Sequence, residues 1–162
     1  MSAQLVVGIL VGLWVLLRVV GRQVTGSLVT QRSLTLMPMI LLALGVLSVS
    51  TALNGASTGE LAFLGLDCAV LIGLGMARGA SIRLTRQADG LFQKGTAATL
   101  TLWLLTIALR VGAAFASTAL WPDGVLNRAA LALTIGLTIA AQNAMIYRRA
   151  ANLHIPFAVE RA

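Results

Sequence analysis

The run Leu36-Met-Pro-Met-Ile-Leu-Leu-Ala-Leu-Gly-Val-Leu-Ser-Val-Ser-Thr-Ala-Leu53 carries no ionisable side chain. As a helix rising about 1.5 Å per residue it covers most of the ~30 Å hydrocarbon core of a bilayer. Lipid offers no water to the backbone, so a segment of this kind satisfies its amides internally, as a helix. Four further apolar runs, at 3–20, 61–77, 97–120 and 129–147, have comparable length. The expected fold is therefore an all-α membrane protein, a single domain over residues 1–162 built as a bundle of about five transmembrane helices.

Composition agrees with that reading. The 162 residues are 58% hydrophobic and only 10% charged, whereas a soluble domain carries about 25% charged residues to meet water. Twelve Lys and Arg face five Asp and Glu, a net charge of +7. These cations sit at the ends of apolar runs rather than on one clustered polar face, so they read as a topology signal and not as a nucleic-acid surface.

Sorting the cations sets the orientation. Arg18, Arg22 and Arg32 flank the first connection, Arg78, Arg83, Arg86 and Lys94 flank the third, and Arg148, Arg149 and Arg161 follow the fifth run. With five crossings all ten share one side, against Arg128 alone on the other. The basic side is assigned to the cytoplasm, which puts the N-terminus outside and the C-terminus inside. Trp121 and Tyr147 stand at run ends, where amphipathic rings favour the headgroups. The first run has no basic segment before it and no small-residue cleavage site after it, so it is expected to be a retained helix rather than a signal peptide.

The second and fourth connections, 54–60 and 121–128, are short and rich in Asn, Gly, Ser, Pro and Asp, as tight turns are. The third differs. Ile82-Arg83-Leu84-Thr85-Arg86 alternates apolar and polar residues, Asp89-Gly90 is a turn signal, and Leu91-Phe92-Gln93-Lys94-Gly95 completes a short cytoplasmic hairpin. An isolated hairpin is marginal and needs a contact to persist. Arg83, Arg86, Asp89, Gly90 and Lys94 are the candidate contact residues of this loop.

Polar groups inside a bilayer need a partner or a purpose. Asp67 lies in the third run and Arg110 near the middle of the fourth. Sequential antiparallel helices are neighbours, so Arg110 can extend outward to the Asp67 carboxylate. Two readings stay open: a structural ion pair, or a proton or substrate site. On the fourth run Thr99, Trp103, Thr106 and Arg110 fall near one face. On the fifth, Thr134, Thr138 and Gln142 repeat every four residues, with Asn143 beside them. Such groups either hydrogen-bond across helices or line a polar cavity. Gly8-Ile-Leu-Val-Gly12 and Gly75-Met-Ala-Arg-Gly79 have small-residue spacing for close helix approach, within the chain or between copies.

Several chemistries lack their residues. The one His, His154, lies near the C-terminus, so a bis-His haem or a His-rich metal site is not expected. Cys68 is the only cysteine and reads as a packing residue. No catalytic residue, metal site or cofactor is assigned.

The stretch Ala77-Arg-Gly-Ala-Ser-Ile-Arg-Leu-Thr-Arg86, followed by Asp89-Gly-Leu-Phe-Gln-Lys-Gly-Thr96, Leu102-Trp-Leu104 and Ile107-Ala-Leu-Arg-Val-Gly112, resembles the CcdC-like family of small bacterial integral membrane proteins. That resemblance closely covers roughly a quarter of the chain. It implies a basic segment, an Asp-Gly turn, a Lys-Gly-Thr step and a helix with Trp and a central Arg, and it singles out Asp89, Gly90, Lys94, Trp103 and Arg110. The family is largely uncharacterised, and its link to cytochrome c biogenesis is one of gene neighbourhood. The expected role is an accessory or regulatory protein of the bacterial cytoplasmic membrane. Its expected partners are membrane lipids and another membrane protein or a second copy of itself. Alternatives are a small oligomeric transporter or channel using Asp67 and Arg110, and a membrane enzyme acting on a lipid or isoprenoid.

Overall fold

A computed structural model describes residues 26–158 of the chain. The expected helix at 3–20, the Gly8–Gly12 step, Arg18, Arg22 and Arg161 lie outside the described residues.

The described chain is 74% helical. Strand β1 (Ser27–Leu28) leads into helix α1 (Gln31–Ala52), which a single 3-10 turn extends over Leu53–Gly55. Helix α2 (Thr58–Ser81), strands β2 (Arg83–Gln87) and β3 (Gly90–Lys94), and helix α3 (Ala97–Leu120) follow. A short helix α4 (Leu126–Ala129) and the long α5 (Leu131–Asn152) complete the order.

Three helices are long and apolar enough to cross a membrane: Gln31–Gly55, Thr58–Ser81 and Ala97–Leu120. Their surfaces match that medium. Met39, Leu47, Leu66, Leu104 and Phe115 are more than 60% exposed, while Arg78, Thr99 and Thr134 are fully buried. A water-soluble domain has the reverse distribution.

Local chemistry sets the helix ends. Thr30 caps α1 by accepting from the Ser33 amide, so the helix starts before the apolar run does. Ser57 and Glu60 form a reciprocal capping box, which draws residues 58–60 into α2 rather than leaving them in a turn. Thr96 and Thr99 do the same for α3. The fifth expected run, 129–147, lies in α5 apart from its first two residues, and α5 continues beyond it to Asn152.

Helix α5 is not one of the three apolar spans. It packs against both α1 and α2 and buries Thr134, Thr138 and Gln142 between them. Glycines make those crossings close. A Cβ at Gly75 would collide with the Thr138 carbonyl oxygen, and one at Gly79 with the Gln142 carbonyl. On the other side Gly45 lies against the Leu133 backbone and Gly136 against Leu42. The Gly75–Gly79 step is thus used within the chain. Helix α3 packs mainly on α2.

One end of the bundle is covered by a small antiparallel sheet in the order β1-β3-β2. The hairpin is present as expected, with one shift in register. Gln87 pairs with Gly90, so the two loop residues are Ala88 and Asp89, and Gly90 opens β3 at φ +121°. The backbone of Ala158 lies against Gly90, which leaves no room for a Cβ there. The contact that an isolated hairpin needs comes from the chain itself. β1 pairs along β3, Ala158 N–H donates to the Val29 carbonyl at 3.0 Å, and Phe157 stacks on Tyr147. Val29, Leu34, Ile82, Leu91, Ile146 and Ala150 form the apolar core beneath this cap. At the opposite end Trp121 packs edge-on against Phe63, and Leu126 and Ala130 bury against Val49 and Ala52.

Candidate functional site

The buried polar groups of the bundle form two clusters on α2. Asp67 and Arg110 make the first, with Arg110 Nη1 donating to Asp67 Oδ2 at 2.5 Å. Their side chains are 9% and 13% exposed. Because α2 starts at Thr58, Asp67 lies about 14 Å along it, and Arg110 lies about 15 Å from the matching end of α3. The partners are level, so the outward reach expected of Arg110 is not needed. Mutual neutralisation removes most of the desolvation penalty that either charge would carry alone.

Arg78 makes the second cluster, and sequence reasoning counted it only among the cations flanking the third connection. Its backbone lies in the last turn of α2, yet its side chain is fully buried. Helical side chains lean toward the N-terminus, and here that direction carries the guanidinium away from the sheet-capped end. Nη2 donates to Thr138 Oγ1 at 2.7 Å and more distantly, at 3.4 Å, to the Thr138 carbonyl. Thr138 Oγ1 in turn donates to the Leu71 carbonyl at 2.9 Å. The guanidinium thus lies level with residues 71–75. It also stacks on Trp103 of α3, with 3.9 Å between its central carbon and the ring centroid. A signal for this was present. Arg78 is three residues after Gly75 and adjacent to Gly79, so its stem starts at the closest helix crossing.

The other expected polar residues separate. Thr106 is buried and donates to its own helix at the Leu102 carbonyl. Gln142 is buried one turn beyond Thr138. Asn143 turns to α1, where Nδ2 donates to the Leu34 carbonyl at 2.7 Å. That carbonyl would ordinarily accept from the amide of residue 38, which is Pro38 and has none. Asn143 therefore repairs a backbone vacancy that a proline makes in a neighbouring helix.

At the sheet-capped end, Arg83, Arg86, Asp89 and Lys94 are exposed and Gly90 is buried. Arg83 and Lys94 are direct partners across β2 and β3. Among the described residues β2 pairs only with β3 and keeps an open edge. Arg149 has a different task from the surface cations, since its Nη1 donates to the carbonyls of Gly79 and Ile82 at 2.8 and 2.7 Å. With Ser81 Oγ donating to Arg78 O and Thr96 Oγ1 donating to Ser81 O, it satisfies the C-terminal carbonyls of α2.

These groups bind and clamp, and nothing in their geometry pairs a nucleophile with a base. No family model, curated protein or solved structure matches the chain.

Proposed function

We propose that the chain is a multi-pass protein of the bacterial cytoplasmic membrane, with the sheet-capped end in the cytoplasm. In that membrane it acts as an accessory or regulatory component by binding an acidic surface of another membrane constituent. Five apolar runs in the sequence support five crossings, the distribution of cations supports an exterior N-terminus, and the family resemblance supports the bacterial setting.

One observation carries the binding role. Arg83 and Lys94 stand directly opposite each other in the hairpin, both exposed, with Arg86 exposed on the same strand. Like charges at a directly opposed pair destabilise the ladder. An anionic partner turns that repulsion into attraction, at about 1 kcal/mol per cation for anionic headgroups. Arg83 and Arg86 on the open edge of β2 discourage strand addition by a second copy. An acidic partner therefore fits this edge better than self-association does.

A photo-reactive residue in place of Thr85, activated in native membranes, tests the proposal. A single adduct of defined mass is expected, lost when Arg83→Glu and Lys94→Glu are introduced together. Cross-linking that survives the charge reversal in a protein of unchanged thermal stability rules the acidic contact out.

A further inference from the structure

We propose that Arg78 and Trp103 form an oxyanion-binding site inside the bundle, taking the carboxylate or phosphate of a membrane-dissolved amphiphile. Guanidinium carries five N–H donors and no acceptor. At Arg78 only Nη2 has hydrogen-bond acceptors, both on Thr138, while Nε and Nη1 are buried without a partner. The indole Nε1 of Trp103, stacked on that guanidinium, is also buried and unpartnered. Unused donors from two residues thus meet at one stacked pair.

Charge points to the same ligand. Arg78 and Arg110 are two cations in the helical interior, and Asp67 is committed to Arg110. Among the described residues no carboxylate faces Arg78. Its side chain also runs away from the nearest helix end, where water would solvate it, and a snorkelling arginine does the opposite. A charge directed into an apolar region marks a ligand position rather than a topology anchor. A planar guanidinium matches a carboxylate or phosphate geometrically as well as electrostatically.

The surroundings decide what carries the oxyanion. Among the described residues α3 and α5 each pack along α2 without packing extensively on one another, and Arg78 with Trp103 spans the interval between them. Fully buried Arg78 lies behind a half-buried Trp103, which makes the indole the outer wall of the site. Exposed Leu104 and Leu105 adjoin it on α3. An apolar tail on that surface with its oxyanion at the edge of the stacked Arg78–Trp103 pair satisfies both media.

The full chain, purified in a neutral detergent, is titrated separately with oleate, phosphatidylglycerol and inorganic phosphate and read by native mass spectrometry. Saturable binding of one oleate or one phosphatidylglycerol is expected, and which of them binds names the source of the oxyanion. Arg78→Gln should weaken it about tenfold or more, Trp103→Phe by several-fold, and Arg128→Gln, at an exposed cation of the opposite end, not at all. Equal binding by inorganic phosphate overturns the amphiphile. Undiminished binding by Arg78→Gln overturns the site. If that variant does not fold, Trp103→Phe decides, since it leaves a smaller aromatic face against the guanidinium and removes the Nε1 donor, and unchanged affinity then overturns the site. No saturable binding to the unaltered protein has the same consequence.

Discussion

Asp67 and Arg110 show what a single pair of residues does in this bundle. Each would be an isolated charge among apolar side chains, and together they hold α2 and α3 at one register. Removing one partner of a buried pair leaves the other uncompensated, whereas removing both leaves none. Asp67→Asn is expected to destabilise the protein by about 3–5 kcal/mol, measured by unfolding in mixed detergent. The double variant Asp67→Leu/Arg110→Leu should lose much less than the sum of the singles. Additive losses would show that the two side chains do not act as a pair. Arg78 follows the other logic, because its charge has aromatic and hydroxyl company but no counter-ion among the described residues.

At the scale of elements, α5 packs through polar and small residues along much of its length, with Ile146 as its fully buried large apolar side chain. Asn143 bonds the carbonyl that Pro38 leaves open in α1, so the two positions are coupled across 105 places in the chain. Asn143→Ala should cost about 1 kcal/mol in the natural background. It should cost close to nothing with Pro38→Ala, where the helix supplies its own donor. Equal losses in both backgrounds would refute the repair. The glycines of α2 make a second contrast. Gly75 faces the Thr138 carbonyl, whereas a Cβ at Gly73 meets nothing within 4 Å. Gly75→Ala is expected to destabilise by about 1–3 kcal/mol through the α2–α5 crossing. Gly73→Ala should be neutral or slightly stabilising, since alanine is the better helix former. Thermal unfolding of the two variants side by side checks this.

Across the whole molecule, the sheet cap and the orientation belong together. β1, the hairpin and the segment ending at Ala158 come from three separate parts of the chain and close one end of the bundle. Phe157→Ala should loosen that closure, seen as faster hydrogen exchange of the β3 amides while α1–α3 keep their protection. For orientation, cysteines placed at Thr85 and at Asp123 in a Cys68→Ala background should label from opposite sides with an impermeant maleimide, Asp123 from outside. Labelling of both from the same side would remove the proposed topology.

Much of this was determined by the sequence alone. Apolar runs the length of a bilayer dictate helices because lipid leaves the backbone no other partner, and 97–120 matches α3 end to end. Alternation around Arg83 and Leu91 was enough to show the hairpin, because period-two patterning is local. The pairing of Asp67 with Arg110 was legible once the two helices were taken as neighbours, but its level geometry was not, because the Ser57–Glu60 capping box starts α2 earlier than the apolar run does. Only the tertiary structure decided the rest. Asn143 against Leu34 and Arg149 against Gly79 join distant parts of the chain, and no local pattern encodes which carbonyl lacks a donor. Arg78 stands in sequence among the flanking cations, and its place beside Gly75 and Gly79 hints at a close crossing without naming the groups it meets there. Whether an arginine at a helix end turns to water or inward depends on what lies on either side of it, and here Thr138 and Trp103 come from two other helices.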